Sequence, residues 1–186
     1  MSKITRWIIQ LFSLYPGRGI KLSGRVHIRP PLIDSGHVCT FDGAAQYGRC
    51  DGGGTLRLIE GRCYICKIGL GEGTNNRAEL LSLWALLWLA KHVECREVMI
   101  LGDSKAIIEW INGKSTIRNS TLIHWYQKIC EFKEFFDEIS FQHIYREYNT
   151  KAYTLSKETL ILGDGILMLK IEEDEAVHSW EQHIIY

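Results

Sequence analysis

The sequence predicts an α/β fold, a mixed sheet with helices packed on it. Three observations carry that expectation. Leu80 to Ala90 is apolar at every position except Ser82, so a helix there must be covered on all sides. Val98-Met99-Ile100-Leu101 follows as a continuous apolar run, the character of a strand buried on both faces. Ahead of both lie three strand-like segments joined by short, glycine-bearing turns, which read as an antiparallel meander.

In chain order, residues 1–37 read as a basic lead-in or linker, 38–162 as the folded domain and 163–186 as an acidic, solvated C-terminal extension. Trp7 to Phe12 has the pattern of a short amphipathic helix, and Pro16-Gly17 and Pro30-Pro31 stop regular structure. Val38 to Asp42 is the first expected strand, with Asp42 at its end. Gly48 to Gly54 is expected as the turn into a second strand over 55–60, and Gly61 turns the chain into a third over 62–68. Gly52-Gly53-Gly54 lacks the lysine and following helix of a phosphate loop. Asn76 is expected to cap the apolar helix, with Glu79 in its first turn. After the 98–101 strand come helices over 104–112, ended by Gly113, and 120–136, where Leu122, Trp125, Ile129, Phe132 and Phe136 keep a helical period. A strand over 139–145 and a helix over 149–160, capped by Asn149, complete the order βββ-α-β-α-α-β-α.

Composition narrows the function classes. The chain has 186 residues and six cysteines, with no secretory signal, which is not a disulfide framework. Cys63 and Cys66 stand three apart in a strand-like run, so they point to opposite faces and make a poor zinc pair. The expected setting is a reducing, intracellular one, cytoplasmic or nuclear. An organelle transit peptide is the less favoured reading of the acid-free, serine-poor N-terminus. The apolar helix falls short of the roughly 18 residues that span a bilayer, so no membrane role is expected. The net charge is zero, yet residues 1–33 carry six bases and no acid, while 34–163 hold 15 bases and 16 acids. A nucleic-acid grip would rely on the basic arm more than on that middle segment.

Asp42, Glu79 and Asp103 are the candidate site. Each has an ordinary structural explanation: Asp42 before a glycine forms turns, Glu79 pairs with Asn76 as a capping box, and Asp103-Ser104 caps a helix. Together, at the ends of elements in this order, they form a carboxylate cluster suited to hard divalent cations.

Four words of the sequence extend that reading: Phe41-Asp42-Gly43-Ala44, the run Gly69 to Leu80 containing Thr74-Asn75-Asn76-Arg77-Ala78-Glu79-Leu80, Gly102-Asp103-Ser104, and His143 to Ala152. In order and spacing they resemble the ribonuclease H family, in the version that follows reverse transcriptase in plant retroelements. The resemblance covers about residues 38–160. It implies a ribonuclease H-like fold with a mixed five-stranded sheet, three antiparallel strands then two parallel additions, flanked by helices. It also implies hydrolysis of the RNA strand of an RNA–DNA hybrid with two Mg²⁺ (or Mn²⁺) ions. By that resemblance Asp42 bridges the ions, Glu79 and Asp103 hold the leaving-group ion, and Asn76, Gly43 and Thr74 face the nucleic acid. Neither a small-molecule cofactor nor an oligomer is implied; a monomer is the default.

The resemblance breaks at one position. Where the family continues Asn-x-x-Ala-Asp, this chain has Asn149-Thr150-Lys151-Ala152-Tyr153. A phenol is neutral at pH 7 and a poor Mg²⁺ ligand, so the two-metal site is expected to be incomplete on the water-activating side. Glu147 lies before the last helix and Glu158 five residues beyond Tyr153, so neither is expected to substitute. No histidine lies between the last strand and Ala152, His143 is read as structural, and the short link between the second and third helices leaves no room for a basic protrusion. Three readings stay open: a hybrid-cleaving ribonuclease, a catalytically inactive module that binds hybrid or double-stranded RNA or docks a protein, and a retroelement remnant.

Overall fold

Strand β1 (His37–Gln46) turns through Tyr47-Gly48 into β2 (Arg49–Arg57), and β3 (Cys63–Glu72) completes an antiparallel meander. Tyr47 and Gly48 both have positive φ, 52° and 81°, the two-residue hairpin turn that matches strand twist. Helix α1 (Asn75–His92), strand β4 (Glu97–Gly102), helices α2 (Lys105–Ile111) and α3 (Ser120–Lys133), and strand β5 (Glu138–His143) follow. A 3₁₀ turn (Arg146–Tyr148) then leads into α4 (Thr150–Glu158), and β6 (Ile166–Glu173) and β7 (Ala176–His183) end the fold. This computed structural model describes residues 36–158, 162–173 and 176–183, so the expected N-terminal helix and the last two residues of the 149–160 helix lie outside the described residues.

The sheet has the order β5-β4-β1-β2-β3-β6-β7, with β4 parallel to both β1 and β5 and the other pairs antiparallel. The five central strands are those expected. The strand count is corrected from five to seven, because residues 166–173 and 176–183 extend the β3 edge rather than forming a solvated tail. Leu167 and Leu169, two apart in β6, are buried in the main core. The acidity of this segment hid a period-2 apolar pattern.

The triglycine also has a different place. Gly52, Gly53 and Gly54 lie inside β2, not in a turn, because helices press on both faces of the sheet there. A Cβ on Gly52 would lie 2.1 Å from Ser82 Oγ of α1, and one on Gly53 would lie 2.6 Å from Leu155 Cβ of α4. Successive strand residues point to opposite faces, so α1 and α4 sandwich the sheet. Ser82, the one polar break in the apolar helix, is buried against this glycine and returns its hydroxyl to the Ala78 carbonyl at 2.6 Å.

On the α1 face, Trp84 meets Trp125 of α3 edge to face, with ring centroids 5.4 Å apart, and Ile100, Ile107 and Ile129 fill the core around them. All six cysteines are free, and Cys63 and Cys66 fall in separate apolar clusters, as the strand period requires. Burial pushes the Cys66 thiol up to about 12, which disfavours the thiolate a metal needs.

Candidate active site

Asp42, Glu79 and Asp103 come together from β1, α1 and the end of β4. One carboxylate oxygen of each lies within 4.8 Å of the others. The local causes differ from those expected. Asp42 sits within β1, opposite Gly53, not at the end of a strand. The α1 cap is Thr74, whose hydroxyl accepts from the Arg77 N–H at 3.4 Å, so Asn76 is the second helical residue and not the cap. Glu79 consequently falls in the second turn, and the capping box with Asn76 does not form. That removes the structural explanation for Glu79. Asp103 likewise turns away from α2 and bonds across to the segment after β5.

Gly43 places Glu79. A Cβ at Gly43 would lie 2.1 Å from the Glu79 backbone nitrogen, so backbone rests on backbone where α1 crosses β1. Gly53 does the same for α4, which lets the Ser156 hydroxyl reach Asp42 Oδ2.

The cluster is buried, with Asp42 2% and Glu79 6% exposed. Burial pushes the Asp42 carboxyl up to about 6, opposed by the Ser156 hydroxyl and reinforced by the Asp103 charge. Glu79 is held well above the usual carboxylate range, first by burial and then by the charges of Asp42 and Asp103; the Gly43 backbone bond opposes the rise. Asp103 moves the other way. Burial works against its ionisation, but hydrogen bonds from Arg146 and Asn149 outweigh burial and lower its pKa. Arg146 Nε donates to Asp103 Oδ2 at 2.7 Å, and Asn149 Nδ2 donates to Asp103 Oδ1 at 2.9 Å and to the Phe41 carbonyl at 2.8 Å.

Arg146, Asn149 and Ser156 are the site residues that sequence reasoning did not assign. Asn149 was expected only as a helix cap; it does stand before α4, but its amide is directed into the sheet. Nothing in the local sequence marks Ser156: its hydroxyl meets the Tyr153 carbonyl at 2.9 Å, as a helix serine commonly does, and its second partner, Asp42, lies 114 positions away.

Tyr153, where the resemblance leads one to expect an acid, lies on the α4 side of the cluster. Its ring packs under Arg146, with Cζ 5.2 Å from the centroid, and Lys157 Nζ lies 5.6 Å away. Among the described residues no fourth carboxylate joins the cluster. Glu147 is exposed in the 3₁₀ turn, and Glu158 is bonded to Lys67 at 2.6 Å. His143 is exposed at the end of β5 and packs edge-on to Tyr145, so it is a rim residue and not the structural one expected. Thr74 and Asn76 are exposed at the start of α1, while Gly43 lies half-buried beneath it.

A cavity of about 320 Å³ lies elsewhere, between α4 and the β6–β7 hairpin. Its lysines, Lys67, Lys151 and Lys170, are each paired with Glu158 or Glu172, so it lacks the free charge of a phosphate site.

Residues 40–159 match the family described as reverse transcriptase-like. A bifunctional protein of Mycobacterium tuberculosis and an uncharacterised protein of Mycobacterium bovis are each 29% identical to the chain over 94 residues, half of this chain and 26% of theirs. The chain thus spans about a quarter of the length of the curated relatives it matches. RNase H1 of Halobacterium salinarum superposes with a TM-score of 0.64 at 26% identity, covering 67% of this chain and 96% of that one. LC11-RNase H1, solved in complex with an RNA/DNA hybrid, gives 0.61 at 26% identity, covering 67% and 96%.

Proposed function

This chain belongs to the reverse transcriptase-like family, with a ribonuclease H-like fold, and from that premise we propose that it binds RNA–DNA hybrids and cleaves their RNA strand with a divalent cation, Mg²⁺ or Mn²⁺. One observation carries the reading. Glu79 Oε2 is buried without a hydrogen-bond partner, inside a cluster of three carboxylates. A buried carboxylate oxygen without a partner is costly unless a proton or a cation neutralises the group, and three such groups within reach of one another can exchange their protons for one hard cation. Asp42, Glu79 and Asp103 would hold the ion. When bound it supplies charge stabilisation at a phosphate oxygen.

The chain's own residues do the rest. Asp42 must give up its proton to take the ion, and burial retains that proton to about pH 6 in the metal-free protein, so cation binding should weaken as pH falls through that range. Asn149 and Arg146 hold Asp103 ionised. The exposed Thr74 and Asn76, at the N-terminal end of α1, offer polar side chains to a hybrid's phosphates and 2′-hydroxyls. Gly43 supports this face by seating α1.

Cleavage of an end-labelled hybrid tests the proposal. RNA-strand products in Mn²⁺ that vanish in Asp42→Asn support it, and Tyr153→Asp should raise the rate. A second reading, binding of hybrid or double-stranded RNA without turnover, is favoured by Tyr153 standing in place of the fourth acid. No cleavage by either the natural protein or Tyr153→Asp, with salt-sensitive hybrid binding retained, selects that reading.

A further inference from the structure

We propose that the carboxylate cluster takes one divalent cation, on its α1 side, and that the Arg146 guanidinium is the fixed positive charge on its α4 side, where Tyr153 offers no ligand. The inference rests on the reading above only in requiring that the cluster binds a cation; it does not require cleavage.

The two sides differ in what their oxygens already have. On the α1 side, Glu79 Oε2 has no protein partner and is buried. On the α4 side the carboxylate oxygens are already met by the chain, Ser156 to Asp42 Oδ2, Arg146 to Asp103 Oδ2 and Asn149 to Asp103 Oδ1, and the buried atom left without a partner there is a neutral amide oxygen, Asn149 Oδ1, not a charged one. Tyr153 brings a ring, not a charge, and that ring has two cations near its face, Arg146 and Lys157. A second dication there would find no further carboxylate, only the neutral Asn149 amide oxygen, and would meet a guanidinium that does not deprotonate.

Arg146 is placed to do more than neutralise. Its side chain is 67% exposed while the Asp103 side chain it holds is 2% exposed. One end of the guanidinium therefore grips the buried carboxylate, and the remaining N–H donors face outward, in the geometry that recognises phosphate oxygens. Its two anchors, Asp103 and the Tyr153 ring, hold it in that position. The replacement of the acid by Tyr153 and the pairing of Arg146 thus form one arrangement: a neutral platform under a cation where an anion under a metal would otherwise stand.

Titration of the intact protein with Mn²⁺ at pH 7.5, counting free ion by electron paramagnetic resonance, tests this. The natural protein should bind one ion. Arg146→Gln should also bind one, roughly three- to tenfold more tightly, since removal of an exposed like charge is felt through solvent screening. The double substitution Arg146→Gln with Tyr153→Asp should bind two. Two ions in the natural protein, or none, overturn the proposal without any variant having to fold. An unchanged affinity in Arg146→Gln, with native circular dichroism, removes the role of Arg146. One bound ion without hybrid cleavage ends the hydrolytic reading and leaves this inference standing; two bound ions with cleavage do the reverse.

Discussion

The two helices that close on the carboxylates from opposite faces of the sheet, α1 and α4, are seated alike and furnished differently. Each crosses a glycine: α1 over Gly43 and Gly52, α4 over Gly53. Yet α1 delivers an acid with an unpartnered oxygen, while α4 and the turn before it deliver only uncharged or cationic groups: a hydroxyl, an amide whose oxygen is also unpartnered, a phenol and a guanidinium. Backbone placement is therefore alike on both sides, and the side-chain chemistry differs between them. A fold can keep a site's geometry while its charge balance changes, because positioning comes from close packing and charge from a few side chains.

The largest effect that would break this comparison is at Gly43. Gly43→Ala sets a methyl 2.1 Å from the Glu79 nitrogen, against rigid backbone, and should destabilise the protein by about 3 kcal/mol or more in denaturant unfolding. Gly53→Ala meets atoms of α4 at 2.6 Å and should be milder. The reverse order would mean that α1 is the looser helix. Next is the cation: Asp42→Asn should weaken Mn²⁺ binding at least about a hundredfold, beyond the loss usual for a supporting residue, as measured by calorimetry.

The pH dependence follows. The Asp42 carboxyl titrates near 6 in the folded protein, above the ordinary value of 3.8. Between those values the folded state binds more protons than the unfolded one, so stability of the metal-free protein falls as pH rises from about 4 to about 6. The loss should approach 2–3 kcal/mol from Asp42 alone. Glu79 shifts in the same direction; Asp103 shifts in the opposite one, and its contribution is lost as pH falls below its ordinary range. Asp42→Asn should flatten the profile between pH 4 and 6, read by thermal unfolding. A profile that rises through this window would contradict the burial of Asp42. The smallest effect belongs to the α4 side: Ser156→Ala should cost about 1 kcal/mol of stability and weaken Mn²⁺ binding more at pH 6 than at pH 8, because Asp42 then keeps its proton longer.

Much of this was legible before the fold was known. The apolar helix, the buried strand after it and the three acids are local patterns, and they predict the five central strands and the cluster. What was missed is non-local. The triglycine resembles a turn unless one knows that helices press on both faces of β2. The acidic residues of 163–186 drew attention from the alternation of Ile166 to Ile171, which only has meaning beside the free edge of β3. Thr74 displaced Asn76 as the cap because Asn75 turns its side chain to the Ala45 N–H, at 2.8 Å, and is drawn into the helix start. Arg146 carried no signal of its own; its partner is 43 residues away.

The contrast between the two sides can be seen directly in crystals soaked in Mn²⁺. An anomalous difference map should show one peak, in contact with Asp42, Glu79 and Asp103, with the Arg146 guanidinium still against the Tyr153 ring. A second peak beside Tyr153, or no peak beside Glu79, would contradict the account.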